Sequence, residues 1–290
     1  MSKIKISTLV CLLTAGAVLS TALWHQGCAA VHYVHSTTPT FFFHGSSSSY
    51  HAEQYMTNAA KKAGATKTII VANVDKHNHV TFNGNIPKGA RNPIIEVNHQ
   101  VQPGGRPNGR PPKKAGNKLP IDNAYVYDVI ATAKQKWHFR SMNIVAHSAG
   151  NLDVLYTLMQ HPDSKKLPKL KKEVAIAAHV NGFIHGGYPS GSKVATDGKP
   201  TRENPNFKEL KKLRQTYPRG AKVLNIYGDI GDGSHSDGLV PVNSARTLKY
   251  LVGRRAGSYQ EHEMTGNNVH HSRLHHNNRV NRLLIRFLWE

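Results

Sequence analysis

Acidic side chains are scarce in this chain. Seventeen Asp and Glu stand against 38 Lys and Arg in 290 residues, a formal net charge of +21. So basic a chain is either attracted to a polyanion or simply well solvated, and both readings stay open. Cysteine is rarer still. Cys11 and Cys28 are the two, and both fall in the first thirty residues. Beyond them neither a disulfide framework nor a cysteine nucleophile can be built. A domain of this length holds together on its core alone. No zinc-finger spacing and no RNA-binding aromatic motif occurs, so nucleic acid is not expected as a partner. There is no internal repeat.

What is present begins with a leader-like segment. Lys3 and Lys5 precede an apolar run from Ile6 to Trp24, and Cys28-Ala29-Ala30 supplies small residues for cleavage. Residues 1–30 are therefore expected to be an export signal or, given the length of the run, a signal anchor. Removing them takes away two lysines and no acid. The remaining 36 basic and 17 acidic residues leave a net charge of +19. The basicity thus belongs to the rest of the chain.

From residue 38 onward, strand-like and helix-like stretches alternate. Strands are expected at Pro39–Phe43, Thr68–Val74, Pro93–Val97, Met142–Val145, Glu173–Val180 and Ala221–Tyr227. Residues 75–91 read as a hairpin or excursion. Helices are expected at Glu53–Ala63, Ile121–Lys136, just after residue 150, at Phe207–Thr216, at Ser244–Leu251 and at Val280–Trp289. Residues 102–120 are rich in Pro, Gly and Lys and read as a loop. Residues 181–206 are rich in Gly and Pro and read as a cap or lid insertion. The alternation predicts an α/β protein: a doubly wound, mostly parallel sheet with helices on both faces.

The most informative stretch is Ala146-His147-Ser148-Ala149-Gly150. An apolar strand precedes it and a helical pattern with Leu152, Val154, Leu155 and Leu158 follows it. A serine on a sharp strand-to-helix turn has its hydroxyl clear of both elements, and backbone N–H groups beside it are free to donate. Ala146 stands where such turns usually carry glycine.

A serine hydroxyl becomes nucleophilic only when an imidazole takes its proton and a carboxylate holds that imidazole. In hydrolases on a doubly wound sheet the chain order is serine, acid, histidine. Ser148, Asp237 and His271 supply that order. Asp237 lies in the loop after the strand ending at Tyr227, and His271 precedes the last helix. The competing reading of the acidic loop is a cation site formed by Asp229, Asp232 and Asp237, although the spacing is not that of an EF-hand. His270, His275 and His276 compete with His271. For an oxyanion, the N–H groups of Ala149 and of Ser46, in the His44-Gly45-Ser46 loop after the first strand, are the candidate donors.

These segments resemble the α/β-hydrolase superfamily, and more narrowly the domain-of-unknown-function 915 hydrolases of Gram-positive bacteria, relatives of small secreted lipases. The resemblance spans roughly residues 38–290. It rests on Phe42-Phe43-His44-Gly45, Asn92 to Val97, Val145 to Gly150, Val223 to Asp229, Ser236-Asp237-Gly238-Leu239-Val240-Pro241, His271 to Asn277 and Phe287-Leu288-Trp289. It implies a Ser148–His271–Asp237 triad, and a His-x-x-Leu pattern favours His271 over His275. Ala149-Gly150-Asn151 departs from the family's usual Met-Gly-Gly. The expected protein is an exported serine hydrolase, secreted or associated with the cell envelope, acting on small-molecule or lipid esters without a cofactor or metal. An anionic membrane or wall polymer is its candidate partner. Amide hydrolysis by the same triad, and a non-catalytic envelope-binding role, are the alternatives.

Overall fold

The computed structural model describes residues 31–99 and 123–290. The expected leader and the loop expected over residues 102–120 lie outside the described residues. Residues 34–289 form one compact unit. Its strands are β1 (Thr40–Phe43), β2 (Ile69–Val74), β3 (Val80–Asn83), β4 (Ile94–His99), β5 (Ser141–His147), β6 (Lys169–Ile176), β7 (Lys222–Asp229) and β8 (Ser258–Thr265). The helices are α1 (Gln54–Lys62), α2 (Ala124–Trp137), α3 (Ala149–Gln160), α4 (Pro205–Leu210), α5 (Leu213–Thr216), α6 (Val242–Arg246), α7 (Leu248–Val252) and α8 (Asn278–Trp289).

The eight strands form one sheet in the order β3-β2-β4-β1-β5-β6-β7-β8. Every neighbouring pair is parallel except β2 and β3, the expected hairpin. Continuous apolar runs make the central strands because both faces are covered. Phe41, Phe42 and Phe43 of β1 are all fully buried. Each contributes about 2 kcal/mol relative to an exposed ring. β1 lies between β4 and β5, with Phe43 level with Val97 on one side and Ala146 on the other. From β1 the chain passes to β2 and β3 at one edge, returns to place β4 between β2 and β1, and then crosses to build β5 to β8 outward on the other side. That reversal opens a crevice past the carboxyl ends of β1 and β5, the usual place for a ligand in such a sheet.

Three expectations need correction. β6 begins at Lys169 and ends at Ile176, earlier than read from composition. Its first residues, Lys169 and Lys171, are exposed while Leu170 between them is buried, so a basic run hides a strand whose start faces solvent. The helix expected over Phe207–Thr216 is broken at Lys211–Lys212, and the one over Ser244–Leu251 is broken at Thr247. β8 was not anticipated at all. Its sequence, Ser-Tyr-Gln-Glu-His-Glu-Met-Thr, buries only Met264 fully. It is an edge strand recognised by its pairing with β7 and not by hydrophobic pattern.

Candidate active site

Ser148 sits between β5 and α3 with φ 52° and ψ −122°, a backbone conformation that L-residues avoid. Several close fits hold it there. Gly150 is hemmed in so tightly that a Cβ would come within 2.7 Å of the His44 carbonyl oxygen and 2.8 Å of the Phe43 one. The end of β1 thus presses directly on the start of α3, and only glycine permits it. Asn151, where the family usually has glycine, ties the turn: its Nδ2 donates to the carbonyls of Ser148 (3.0 Å) and Ile176 (2.9 Å). Ala146 is fully buried and continues β5 without disturbing the turn.

The structure brings the three predicted residues together from three distant parts of the chain. His271 Nε2 lies 2.9 Å from Ser148 Oγ, and His271 Nδ1 lies 2.8 Å from Asp237 Oδ2. Since an ionised carboxylate only accepts, Nδ1 carries the proton and the Nε2 lone pair faces the serine. Asp237 is 1% exposed at its side chain. Its other oxygen accepts from the N–H groups of Leu239 (2.9 Å) and Val240 (2.6 Å). The Ser-Asp-Gly-x-Val turn therefore solvates the carboxylate with backbone donors in place of water. His271 is also fixed through its backbone: its N–H donates to the Asp237 carbonyl at 2.8 Å, and its carbonyl accepts from His147 Nε2 at 3.2 Å.

His275 is not part of this chain of hydrogen bonds. Its ring packs edge-on against His147 at 4.7 Å, and its Nδ1 is buried without a partner. Asp229 and Asp232 are engaged elsewhere: Asp229 accepts from the Gly231 N–H and faces His235, and Asp232 accepts from the Ser234 N–H. With Asp237 turned to His271, the three carboxylates do not converge. Among the described residues no cluster of three or more His, Cys, Asp or Glu is arranged to hold a metal.

One residue with a definite place was not singled out from the sequence as a site residue. His44 Nδ1 lies 2.8 Å from the Gly45 carbonyl, and its Nε2 accepts from the His99 N–H at 3.3 Å. The second contact fixes the tautomer, so Nδ1–H donates to Gly45. In a trans peptide the C=O and N–H point in opposite directions. Drawing the Gly45 carbonyl toward His44 therefore turns the Ser46 N–H away from it. Burial lowers the basicity of His44, which keeps the ring neutral and its acceptor available. The same cause pushes His99, His179 and His275 down to about 4, and His147 well below its ordinary value.

Of the expected insertion at 181–206, residues 181–204 are irregular but closed on themselves, and 205–206 begin α4. Asn181 donates to the Arg202 carbonyl (3.0 Å) and accepts from the Asn204 N–H (2.9 Å), joining the two ends of the segment. The Ile184 N–H donates to the Leu239 carbonyl at 2.9 Å, so the segment rests on the loop that carries Asp237.

A parallel sheet with this crossover, a strained serine between strand and helix, and an acid and a histidine in later loops define an α/β-hydrolase. The chain belongs to the α/β-hydrolase family designated domain of unknown function 915, whose pattern it matches over residues 29–290. Among solved structures it is similar to a gene product of Listeria innocua. The identity is 22%, the TM-score 0.72, and 87% of this chain and 94% of that one are covered. It is also similar to a protein of Lactobacillus plantarum described as a cell surface hydrolase, at 21% identity and a TM-score of 0.60, with coverage of 86% and 88%. At these identities the likeness concerns the fold. No curated protein matches the chain in sequence.

Proposed function

We propose that the protein is an exported serine hydrolase that cleaves carboxylic esters through an acyl-enzyme. The observation that carries this reading is the unbroken path of hydrogen bonds from Ser148 Oγ through His271 to Asp237.

His271 Nε2 takes the hydroxyl proton as Oγ attacks the acyl carbon. The carbonyl π electrons move to oxygen, giving a tetrahedral oxyanion. The Ala149 N–H, at the positive end of α3, and the Ser46 N–H, turned by His44, receive that charge. His271 then returns the proton to the departing alkoxide as the ester C–O bond breaks. A water attacks the acyl-serine, again losing its proton to His271, and Ser148 is regenerated with release of the acid. Asp237 stays ionised throughout and stabilises the imidazolium. Nothing in these steps requires a cofactor. The leader-like residues 1–30 support export, and the net charge of +19 on the rest of the chain supports association with an anionic envelope.

The test is turnover of a p-nitrophenyl acyl series beside matched p-nitroanilides. Ester turnover that Ser148→Ala abolishes supports the proposal. Faster turnover of the amides would make the protein an amidase with the same triad. Absence of turnover on both, with tight retention on envelope material, would make it a binding protein.

A further inference from the structure

At the opposite edge of the sheet, where the parallel strands begin, the surface has a different composition. Two cavities, of about 590 and 910 Å³, lie on either side of a short ridge, His138-Phe139-Arg140, which lines both. The ridge is the turn from α2 into β5, made possible by His138 in the left-handed conformation at φ 56°. Lys88, Lys136 and Arg140 line the first cavity; Lys134, Lys165 and Lys166 join Arg140 in the second. Against these six cations the linings contain one carboxylate, Asp128, which faces Lys166 and His161. Asp163 lies just before Lys165 in sequence. The strip continues past the ridge, because the Lys169 N–H donates to the Arg140 carbonyl at 3.0 Å and Lys169 is exposed.

The shape and the aromatic groups narrow the choice of partner. Lys134 reaches across to the carbonyls of Lys165 and Leu167 and braces the wall of the second cavity. None of the large apolar side chains left exposed among the described residues, Val31, Val34 and Tyr55, lines either cavity. The large apolar side chains that do line them, Ile86, Trp137 and Phe139, are buried or half-buried, and a concave surface of this kind offers little to insert into a bilayer. Trp137 is packed edge-on to Phe82 at 4.7 Å, and Lys136 covers it at 5.1 Å, so its face is not free to stack a nucleobase. What is offered is a line of point charges with neutral donors beside them: Tyr127 and Thr132 in one cavity, Ser141 in the other. Phosphodiester oxygens accept from both kinds of donor at once.

We propose that this edge docks a linear phosphodiester polymer that carries no bases, laid across the His138–Arg140 ridge from one cavity into the other. The inference is independent of the ester chemistry, which lies at the other end of the strands.

The experiment measures binding of a labelled abasic deoxyribose-phosphate oligomer to the full chain across a salt titration. The same titration is run with an oligo-dT of equal length, with poly-L-glutamate and with phosphatidylglycerol vesicles. One variant carries Lys136→Glu, Arg140→Glu and Lys166→Glu. A control carries Lys61→Glu, Lys208→Glu and Arg282→Glu, three exposed cations elsewhere with the same change in net charge. The expected result is at least tenfold weaker binding of the abasic oligomer in the first variant and a twofold change or less in the control. The plot of log K against log salt should become shallower by about two in the first variant only. Ester turnover should be unchanged in both. Equal losses in the two variants would overturn the proposal in favour of diffuse charge. Tighter binding of oligo-dT, poly-L-glutamate or vesicles than of the abasic oligomer would overturn it in favour of that partner. If the reversal variant melts early, the Lys136→Gln, Arg140→Gln, Lys166→Gln protein takes its place, with a loss of at least fivefold expected and none contradicting the proposal.

Discussion

Where the strands of this sheet end, polar side chains are buried and committed to one another; where they begin, they are exposed and mostly cationic. At the first edge Asp237, His44, His147 and His179 are nearly inaccessible, and burial lowers the basicity of the three imidazoles. Each hydrogen bond there holds a geometry, and losing one partner strands another in a dry site. At the second edge Lys136, Arg140, Lys165 and Lys166 lie open to solvent, where a single charge contributes little to stability. One fold thus separates a place where position matters from a place where only the sum of charge and the shape of its support matter. Substitutions should respond accordingly.

The largest effects belong to the strand ends. Ser148→Ala and His271→Ala should each lower kcat for an aryl ester by roughly three orders of magnitude or more, with melting temperature little changed, because the members act as a unit. Asp237→Ala should be about tenfold milder than those two. A variant of any of the three with near-normal kcat would break the comparison at its strongest point. His44→Ala should cost about 10²-fold in kcat while KM moves by less than about threefold, as expected when an oxyanion donor is misaligned. His275→Ala, outside the hydrogen-bonded path, should cost less than about tenfold. If it exceeds His271→Ala, the base has been misassigned.

A smaller effect separates the edges by pH. His179 is pushed down to about 4, first by burial and then by His271. Unfolding exposes it to an ordinary value near 6.5, so the unfolded chain binds the extra proton between those limits. The stability this residue confers is complete above about 6.5 and is lost as pH falls toward 4. In His179→Phe that loss disappears. Its stability relative to the parent, measured by urea unfolding, should improve by up to about 1 kcal/mol for each pH unit between 6.5 and 5. A difference that does not vary with pH would mean that His179 is not held neutral. The smallest effect is at the basic edge: the Lys136, Arg140, Lys166 charge reversal should leave kcat within twofold.

Much of the strand-end edge was legible in the sequence because its chemistry is local and ordered. The pentapeptide around Ser148, the Ser-Asp-Gly-x-Val-Pro turn and the His271 stretch each carry their own backbone requirement. The role of His44 was not legible, because it depends on the His99 N–H arriving from another strand to fix the tautomer. Asn151 looked like a departure from family pattern; its links to Ser148 and Ile176 exist only once β5 and β6 are side by side. The parallel core strands were visible as apolar runs, whereas β8 was hidden by its polar, half-exposed composition. The net charge was plain in the sequence, but its gathering around one ridge arises from Lys88, Arg140 and Lys165 meeting across distant segments.

The most direct test of the account is covalent. The intact protein treated with a fluorophosphonate should acquire one adduct, and peptide mapping should place it on Ser148. The adduct should vanish in Ser148→Ala and form at least about a hundredfold more slowly in His271→Ala. An adduct on another serine, or labelling of Ser148 at an unchanged rate without His271, would contradict the account.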